Sequence, residues 1–400
     1  MIANAFYLAV HSLSWYRGRA AIIVLCLALT LWLPITVRLL LNQFRQDIVA
    51  RAQITPLVIG ARGSRIDLAL NALYFDTVAP DQCTMKEADF VQSTGYATAI
   101  PVHIRYTTQA INGAQGVPIV GTTIEYFEFR QLSVKQGAGL GLLGDCVVGS
   151  NVAERMNLSP GDRILSAPRN AFNLAGDYPL RMNIAGILAP SHSPDDNAVF
   201  VDIKTAWIID GIGHGHQKLD QKTHSDLLLN RTGSSVTASA AVLPFTEITD
   251  DNIDSFHFHG DETSFPCTAV IADPHSRKDQ TLLLGEYLST RRETAQCVKP
   301  ADVVQDLLQI VFRVERLVWL SSVLSGIATA LLLGLVLFLS IRLRAREMQT
   351  MFKIGCSRST IAMVVGMEIL LMTFAGTAVA VLAAWSCRYL AADSLKQLLF

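Results

Sequence analysis

Three long apolar blocks, residues 20–41, 317–341 and 360–386, constrain this 400-residue chain more than any other feature. Each supplies the roughly 20 helical residues that cross a hydrocarbon layer about 30 Å thick. Half of all residues are hydrophobic and only 17% are charged, and that excess is concentrated in these blocks. The intervening stretch has ordinary globular composition. A net charge of −1 supplies no field for nucleic acid, so that class of partner is excluded. The first block is not a secretory leader: it starts only at residue 20 and runs on through Leu39, Leu40 and Leu41 without a small-residue cleavage pattern.

Orientation follows from flanking basic residues, which favour the cytoplasmic side. Arg17 and Arg19 precede the first block, while Arg342, Arg344, Arg346, Lys353 and Arg358 separate the second from the third. Arg313 and Arg316 count mildly against this, but their long stems can reach the interface. The expected architecture is an integral membrane α-helical protein of three transmembrane helices, with a mixed α+β extracytoplasmic domain inserted between the first and second. It is expected in the inner membrane, multi-pass, with the large domain in the periplasm and the C-terminus outside.

The expected division is 1–45 for an N-terminal interfacial helix and the first crossing, 46–302 for the outer domain, and 303–400 for a stalk helix and the remaining crossings. Phe6, Val10 and Leu13 share a helical face in the interfacial segment, and Pro34 predicts a kink in the first crossing. Val303, Val304, Leu307, Ile310, Val311 and Val314 recur at helical steps toward the second. Within the outer domain, alternation and β-branched content predict strands at 101–107, 117–123, 146–149, 181–188 and 198–203, with a short helix at 151–157. Later, 267–272 reads as a strand and 277–288 as a helix. Residues 211–264 are polar and read as an insertion or mobile loop region. Cys83, Cys146, Cys267 and Cys297 fall in the outer domain, where an oxidising compartment permits disulfides. All three pairings stay open, a Cys267 to Cys297 bridge closing the most compact unit, as does the alternative of four buried thiols.

Five of the nine histidines, His214, His216, His224, His257 and His259, cluster in that polar region, and two segments read His-x-His. Alternate residues of a strand share a face, so such pairs can offer two imidazoles to one zinc ion, with Asp220, Asp226 or Asp261 as oxygen ligands; the alternative is a solvated loop. Glu368 lies inside the third block, where a carboxylate needs a partner, and a hydrogen bond to a neighbouring helix is favoured over a proton relay. Between the second and third blocks, Met348, Met351 and Phe352 form one apolar ridge with Arg346 and Lys353 off it, a shape suited to a partner's groove. Gly355 can end that helix, and Ser357 or Ser359 can cap the next.

The run Arg-Ala-Arg-Glu-Met-Gln-Thr-Met-Phe-Lys-Ile-Gly-Cys-Ser-Arg-Ser-Thr-Ile at 344–361 resembles the cytoplasmic connector of FtsX-like permeases, the group containing the MacB exporter and the lipoprotein-releasing permeases. Val-Gly-Thr-Thr-Ile-Glu-Tyr-Phe at 120–127, Val-Val-Gly-Ser-Asn-Val-Ala-Glu-Arg-Met at 147–156, Ser-Pro-Gly-Asp at 159–162, Ile-Ala-Gly-Ile-Leu at 184–188 and Ala-Val-Phe-Val-Asp-Ile-Lys-Thr-Ala at 198–206 follow the order of MacB-like periplasmic core domains. The resemblance implies a permease subunit of an ATP-binding cassette transporter. Its coupling helix, 344–358, would dock on a separate ATP-binding subunit through Arg346, Glu347, Met348, Met351, Phe352, Lys353 and Gly355. It also implies a homodimer or heterodimer of permeases and a periplasmic or lipoprotein partner. The tripeptide Gly355, Cys356, Ser357 carries Cys where Ala is more frequent, and the family usually has a fourth crossing, whereas three are expected here. No Gly-x-x-x-x-Gly-Lys-[Ser/Thr] occurs, so the chain is expected to bind no cofactor other than a candidate zinc, to hydrolyse nothing, and to leave ATP to its partner. Two other readings stand beside transport: a mechanotransmitter that switches a periplasmic hydrolase, and a membrane-anchored metal sensor or receptor without an ATPase.

Overall fold

A computed structural model describes residues 2–75, 81–110, 115–167, 179–215, 228–232, 235–238, 246–289, 294–343, 345–355 and 357–399. They form two compact units, Met1–Asp47 with Asp306–Leu399, and Ile48–Gln305. The described helices are α1 (Ile2–Trp15), α2 (Arg17–Ile54), α3 (Arg65–Tyr74), α4 (Lys86–Thr94), α5 (Ile124–Arg130) and α6 (Ser150–Met156). They continue with α7 (Ile203–Ile209), α8 (Arg277–Ser289), α9 (Pro300–Leu343), α10 (Ala345–Lys353) and α11 (Arg358–Leu399). The described strands begin with β1 (Leu57–Ala61), β2 (Cys83–Thr84), β3 (Ala97–Thr107), β4 (Pro118–Thr122), β5 (Val134–Gly137), β6 (Asp145–Val148), β7 (Arg163–Leu165) and β8 (Arg181–Leu188). After these come β9 (Val199–Asp202), β10 (Gly213–Gly215), β11 (Leu228–Thr232), β12 (Ser235–Ala238), β13 (Phe256–Phe258), β14 (Pro266–Cys267), β15 (Ala269–Pro274) and β16 (Ala295–Val298).

The unit Ile48–Gln305 is a mixed α/β domain. Its ten-stranded sheet runs β16-β1-β15-β3-β4-β9-β6-β8-β5, with β7 also on β8. Pairing is antiparallel except between β4 and β9 and between β6 and β8. Among the described residues, two large apolar clusters and a smaller one at Ile203, Trp207 and Phe265 fill the domain. One large cluster gathers Ile119, Cys146, Val148, Met182, Ile184, Val199 and Val201; the other gathers Leu57, Ile59, Val91, Val270, Leu283 and Tyr287. Alternation along β9 sends Val199 and Val201 into the first cluster, while Phe200 packs against Phe75 and Tyr126, with ring centroids 6.0 and 5.6 Å away.

β8 spans the residues its alternating pattern predicts, and β3, β4, β6, β9, α6 and α8 fall within a few residues of expectation. The polar region 211–264 is not simply a loop. Its described residues hold β10, β13 and the β11 to β12 hairpin, because aromatic residues every second position, Phe256 and Phe258, give that stretch a buriable face.

Among the described residues, the unit of Met1–Asp47 with Asp306–Leu399 contains two segments long and apolar enough to cross a membrane, Arg17–Asn42 and Arg358–Cys387, both mostly unburied, and a shorter described apolar segment, Arg316–Leu332. Ile22, Leu25, Leu29 and Leu33 on α2 are exposed, as are Leu324, Leu331, Leu335 and Phe338 on α9, and Phe374 and Leu382 on α11. Small residues do the packing: Ala5, Ala9, Ala28, Ala380 and Ala384 are buried. On α1 the alanines face inward and Phe6 and Val10 are exposed, as the apolar face of a helix lying in a membrane interface would be. The helix continues through Pro34.

Candidate functional site

Arg51 lies on the apolar stripe of α2, three residues after Ile48 and four before Thr55, so its guanidinium is carried inside the Ile48–Gln305 unit. Only 7% of Arg51 and 1% of Asp195 is exposed. A buried charge of this kind requires a partner. The pair is bidentate, Nη1 to Oδ2 at 2.6 Å and Nη2 to Oδ1 at 3.0 Å. Nη2 also donates to Tyr126 Oη at 3.1 Å, and Nε donates to the Leu73 carbonyl at the end of α3. The Phe75 ring lies under the guanidinium, 5.4 Å away. Tyr126 Oη and Ser193 Oγ each donate to Asp195 at 2.7 Å.

Burial alone would lower the Arg51 pKa, but Asp195 and the neighbouring hydroxyls outweigh it and raise it. Burial likewise pushes Asp195 up, and Arg51, Ser193 and Tyr126 more than reverse this, holding the carboxyl at about 2. Burial and the adjacent Asp195 charge raise the Tyr126 phenol. A second guanidinium, Arg130, lies 5.7 Å from the Tyr126 ring and 4.8 Å from that of Phe129; burial first and the Arg51 charge second lower its pKa.

The turn that presents Asp195 is seated by the segment 147–156. A side chain at Gly149 would come within 2.4 Å of the Asp195 carbonyl, and Gly149 N donates to Ala198 O at 2.9 Å. Asp196 closes the same turn by accepting from Ser191 N and His192 N at 2.9 and 2.7 Å. Tyr126, Gly149 and Phe200, drawn from three of the five outer-domain runs quoted above, thus converge on Arg51. Sequence reading did not single out Arg51 or Asp195. The available signal was an arginine placed on an apolar helical face.

In the other unit, α10 covers most of the coupling segment. Phe352 and Ile354 are exposed at 52% and 78%. Gly355, at φ +101°, ends the helix, its N–H donating to Phe352 O at 3.1 Å, and Ser357 Oγ caps α11 by accepting from Thr360 N at 3.2 Å. Arg346, Glu347, Met348, Met351 and Lys353 lie on the helix; Arg344 and Cys356 lie outside the described residues. The Arg358 guanidinium sits 5.7 Å from the Phe352 ring. Glu368 is buried and approaches Arg19 Nη2 at 3.9 Å, so the carboxylate within α11 faces a cation on α2. Thr30 and Thr329 hydroxyls meet at 3.1 Å between α2 and α9.

The cysteines do not favour the compact Cys267 to Cys297 bridge. Cys267 stands opposite Cys83 in the β14 to β2 pairing, with sulfurs 3.2 Å apart and unbonded. Cys146 is buried in the other apolar cluster, and both Cys146 and Cys297 are free thiols whose pKa burial raises, Cys297 to about 12. Among the histidines, His214, His257 and His259 come together, their ligand atoms all within 4.8 Å. His216, His224, Asp220 and Asp226 lie outside the described residues. Asp261 is used instead as a cap, accepting from Thr263 N and Oγ1 at 3.1 and 2.8 Å.

No protein-family model matches the chain, and no curated protein matches it. Solved structures with a similar arrangement include the periplasmic region of MacB from Actinobacillus actinomycetemcomitans, 11% identical, covering 64% of this chain and 92% of that one at a TM-score of 0.34. The extracellular domain of the noncanonic ABC-type transporter YknZ from Gram-positive bacteria is 13% identical, covering 60% and 98% at a TM-score of 0.33.

Proposed function

We propose that this chain is the membrane-spanning subunit of an ATP-binding cassette machine of the MacB, FtsX and lipoprotein-release type, with α2, α9 and α11 as three crossings. The Ile48–Gln305 domain lies in the periplasm. Hydrolysis occurs on a separate ATP-binding subunit that docks on α10, and two permease copies, identical or related, complete the assembly.

The observation that carries this reading is α10 itself. A nine-residue helix stands between two long apolar helices, and it ends in a left-handed glycine, Gly355, followed by the Ser357 cap. That punctuation ends a short lever after Lys353, and Phe352 and Ile354 are exposed and available to a groove on a partner. In the sequence, the spacing of Met348, Met351 and Phe352 suits an adaptable apolar edge on such a lever.

Force transmission, rather than a polar conduit, fits the crossings. Charged and amide residues are few in the three apolar blocks, which argues against an ion or sugar path through them. The Arg51 to Asp195 pair then has a positional role. Buried ion pairs contribute little net stability over apolar replacements, so this one is retained for fixing the end of α2 on the sheet.

Photo-crosslinking from position 352 in native membranes tests the assignment. Capture of a P-loop subunit is the expected outcome. Repeated recovery without any nucleotide-binding protein would favour a membrane-anchored receptor instead.

A further inference from the structure

We propose that His214, His257 and His259 form a binding site for one zinc-class divalent ion on the β10 to β13 ribbon. The inference is independent of the ATPase assignment. Register puts His214 directly opposite His257, and His259 follows two residues later, so all three imidazoles stand on one face. Their ring centroids are 4.8 to 5.1 Å apart.

The opposite face explains why that orientation is fixed. Phe258 pairs with Gly213 and Phe256 with Gly215, and a side chain at either glycine would meet the facing ring at 2.5 to 2.7 Å. Phenyl rings therefore lie over bare backbone, and Phe258 continues into the cluster of Trp207 and Phe265. With Phe258 packed on that cluster and Phe256 over Gly215, the pleat turns the histidines to the opposite face, where they are half-buried or exposed.

The protonation pattern suits a metal. His257 Nδ1 lies 2.9 Å from the Ser255 carbonyl, which can only accept, so Nδ1 carries a hydrogen and, in the neutral ring, Nε2 carries the lone pair. This is the usual outer support of a metal-bound imidazole. A tetrahedral ion with Zn–N bonds of 2.0–2.1 Å needs nitrogens about 3.4 Å apart. The donors here lie within 4.8 Å, so modest side-chain rotations close the site. Three neutral nitrogens select zinc, cobalt, nickel or copper over magnesium or calcium. Asp261 is committed to its cap, so among the described residues the ligand set is these three imidazoles. An ion held there ties β10, which follows α7, to β13.

The test uses the full chain in detergent, purified without a histidine tag, and equilibrium dialysis against Zn(II) with Mg(II) as the control cation. One Zn(II) per chain is expected for the parent and for His275→Asn, which lies outside the cluster. In His214→Asn/His259→Asn, affinity should fall more than about 100-fold, because even outer-support residues of metal sites contribute 10–100-fold. Co(II) should give a visible absorption band with the parent and none with the double variant. A metal-free melting temperature shared by both proteins separates lost binding from lost folding. Equal Zn(II) binding by parent and double variant, or no binding to the parent at micromolar Zn(II), would overturn the proposal.

Discussion

Two arginines on one helix, Arg19 and Arg51 of α2, each face a carboxylate, and the two pairs are built differently. Arg51 and Asp195 are bidentate at 2.6 and 3.0 Å, and Asp195 takes further hydrogen bonds from Tyr126 and Ser193. Arg19 and Glu368 approach only to 3.9 Å, and a quarter of the Arg19 side chain is exposed. The first geometry holds one arrangement. The second is the longer contact, and on the function proposed above a looser pair suits crossings that shift while a fixed pair suits the domain that follows them.

The comparison can be broken at its strong end first. Arg51→Met strands a buried carboxylate and should cost about 3–5 kcal/mol, whereas Arg51→Met with Asp195→Leu should recover most of that loss. Hydrogen exchange of β9 in the full chain reads both; equal protection in parent and single variant would remove the anchor. Acid should act next. The Asp195 carboxyl is held at about 2, below its ordinary 3.8, so its contribution is complete above about pH 4 and drains away as pH falls toward 2. That loss, about 2 kcal/mol from the linkage relation, should appear in the parent and be absent from Asp195→Asn.

The weak end sharpens the contrast. Arg19→Gln removes a 3.9 Å contact rather than a bidentate hydrogen-bonded pair and should cost less than Arg51→Met, although Glu368 is itself buried. Thermal melts of the two single variants side by side would show it, and similar losses would erase the distinction. The smallest effect concerns Cys83 and Cys267. A disulfide-forming oxidant such as diamide should join them, with loss of two hydrogens by mass, little change in melting, and no such product in Cys83→Ser; a Cys267 to Cys297 product would contradict the observed register.

Legibility in the sequence followed the range of the interaction. Alternation in Arg181–Leu188 and helical spacing in Arg277–Ser289 are local, and both elements appear in place. β1 and β16 were unread, because Leu57-Val58-Ile59 is continuously apolar and Ala295–Val298 too short for a period to register. The shared face of His257 and His259 follows from strand geometry, but their meeting with His214 depends on a pairing that no local rule supplies. The Arg51 anchor was invisible for the same reason: its partner lies 144 residues away in sequence. Only the misplaced charge on an apolar stripe hinted at it.

In the function proposed above, ATP-driven motion entering at α10 reaches the Ile48–Gln305 domain by way of the Arg51 to Asp195 pair. Hydrogen exchange of β9 and the 194–197 turn, measured in the assembled complex with and without a non-hydrolysable ATP analogue, tests it most directly. A nucleotide-dependent change in the parent that disappears in the folded Arg51→Met/Asp195→Leu variant is the predicted result. The same change in both proteins, or in neither, would contradict it.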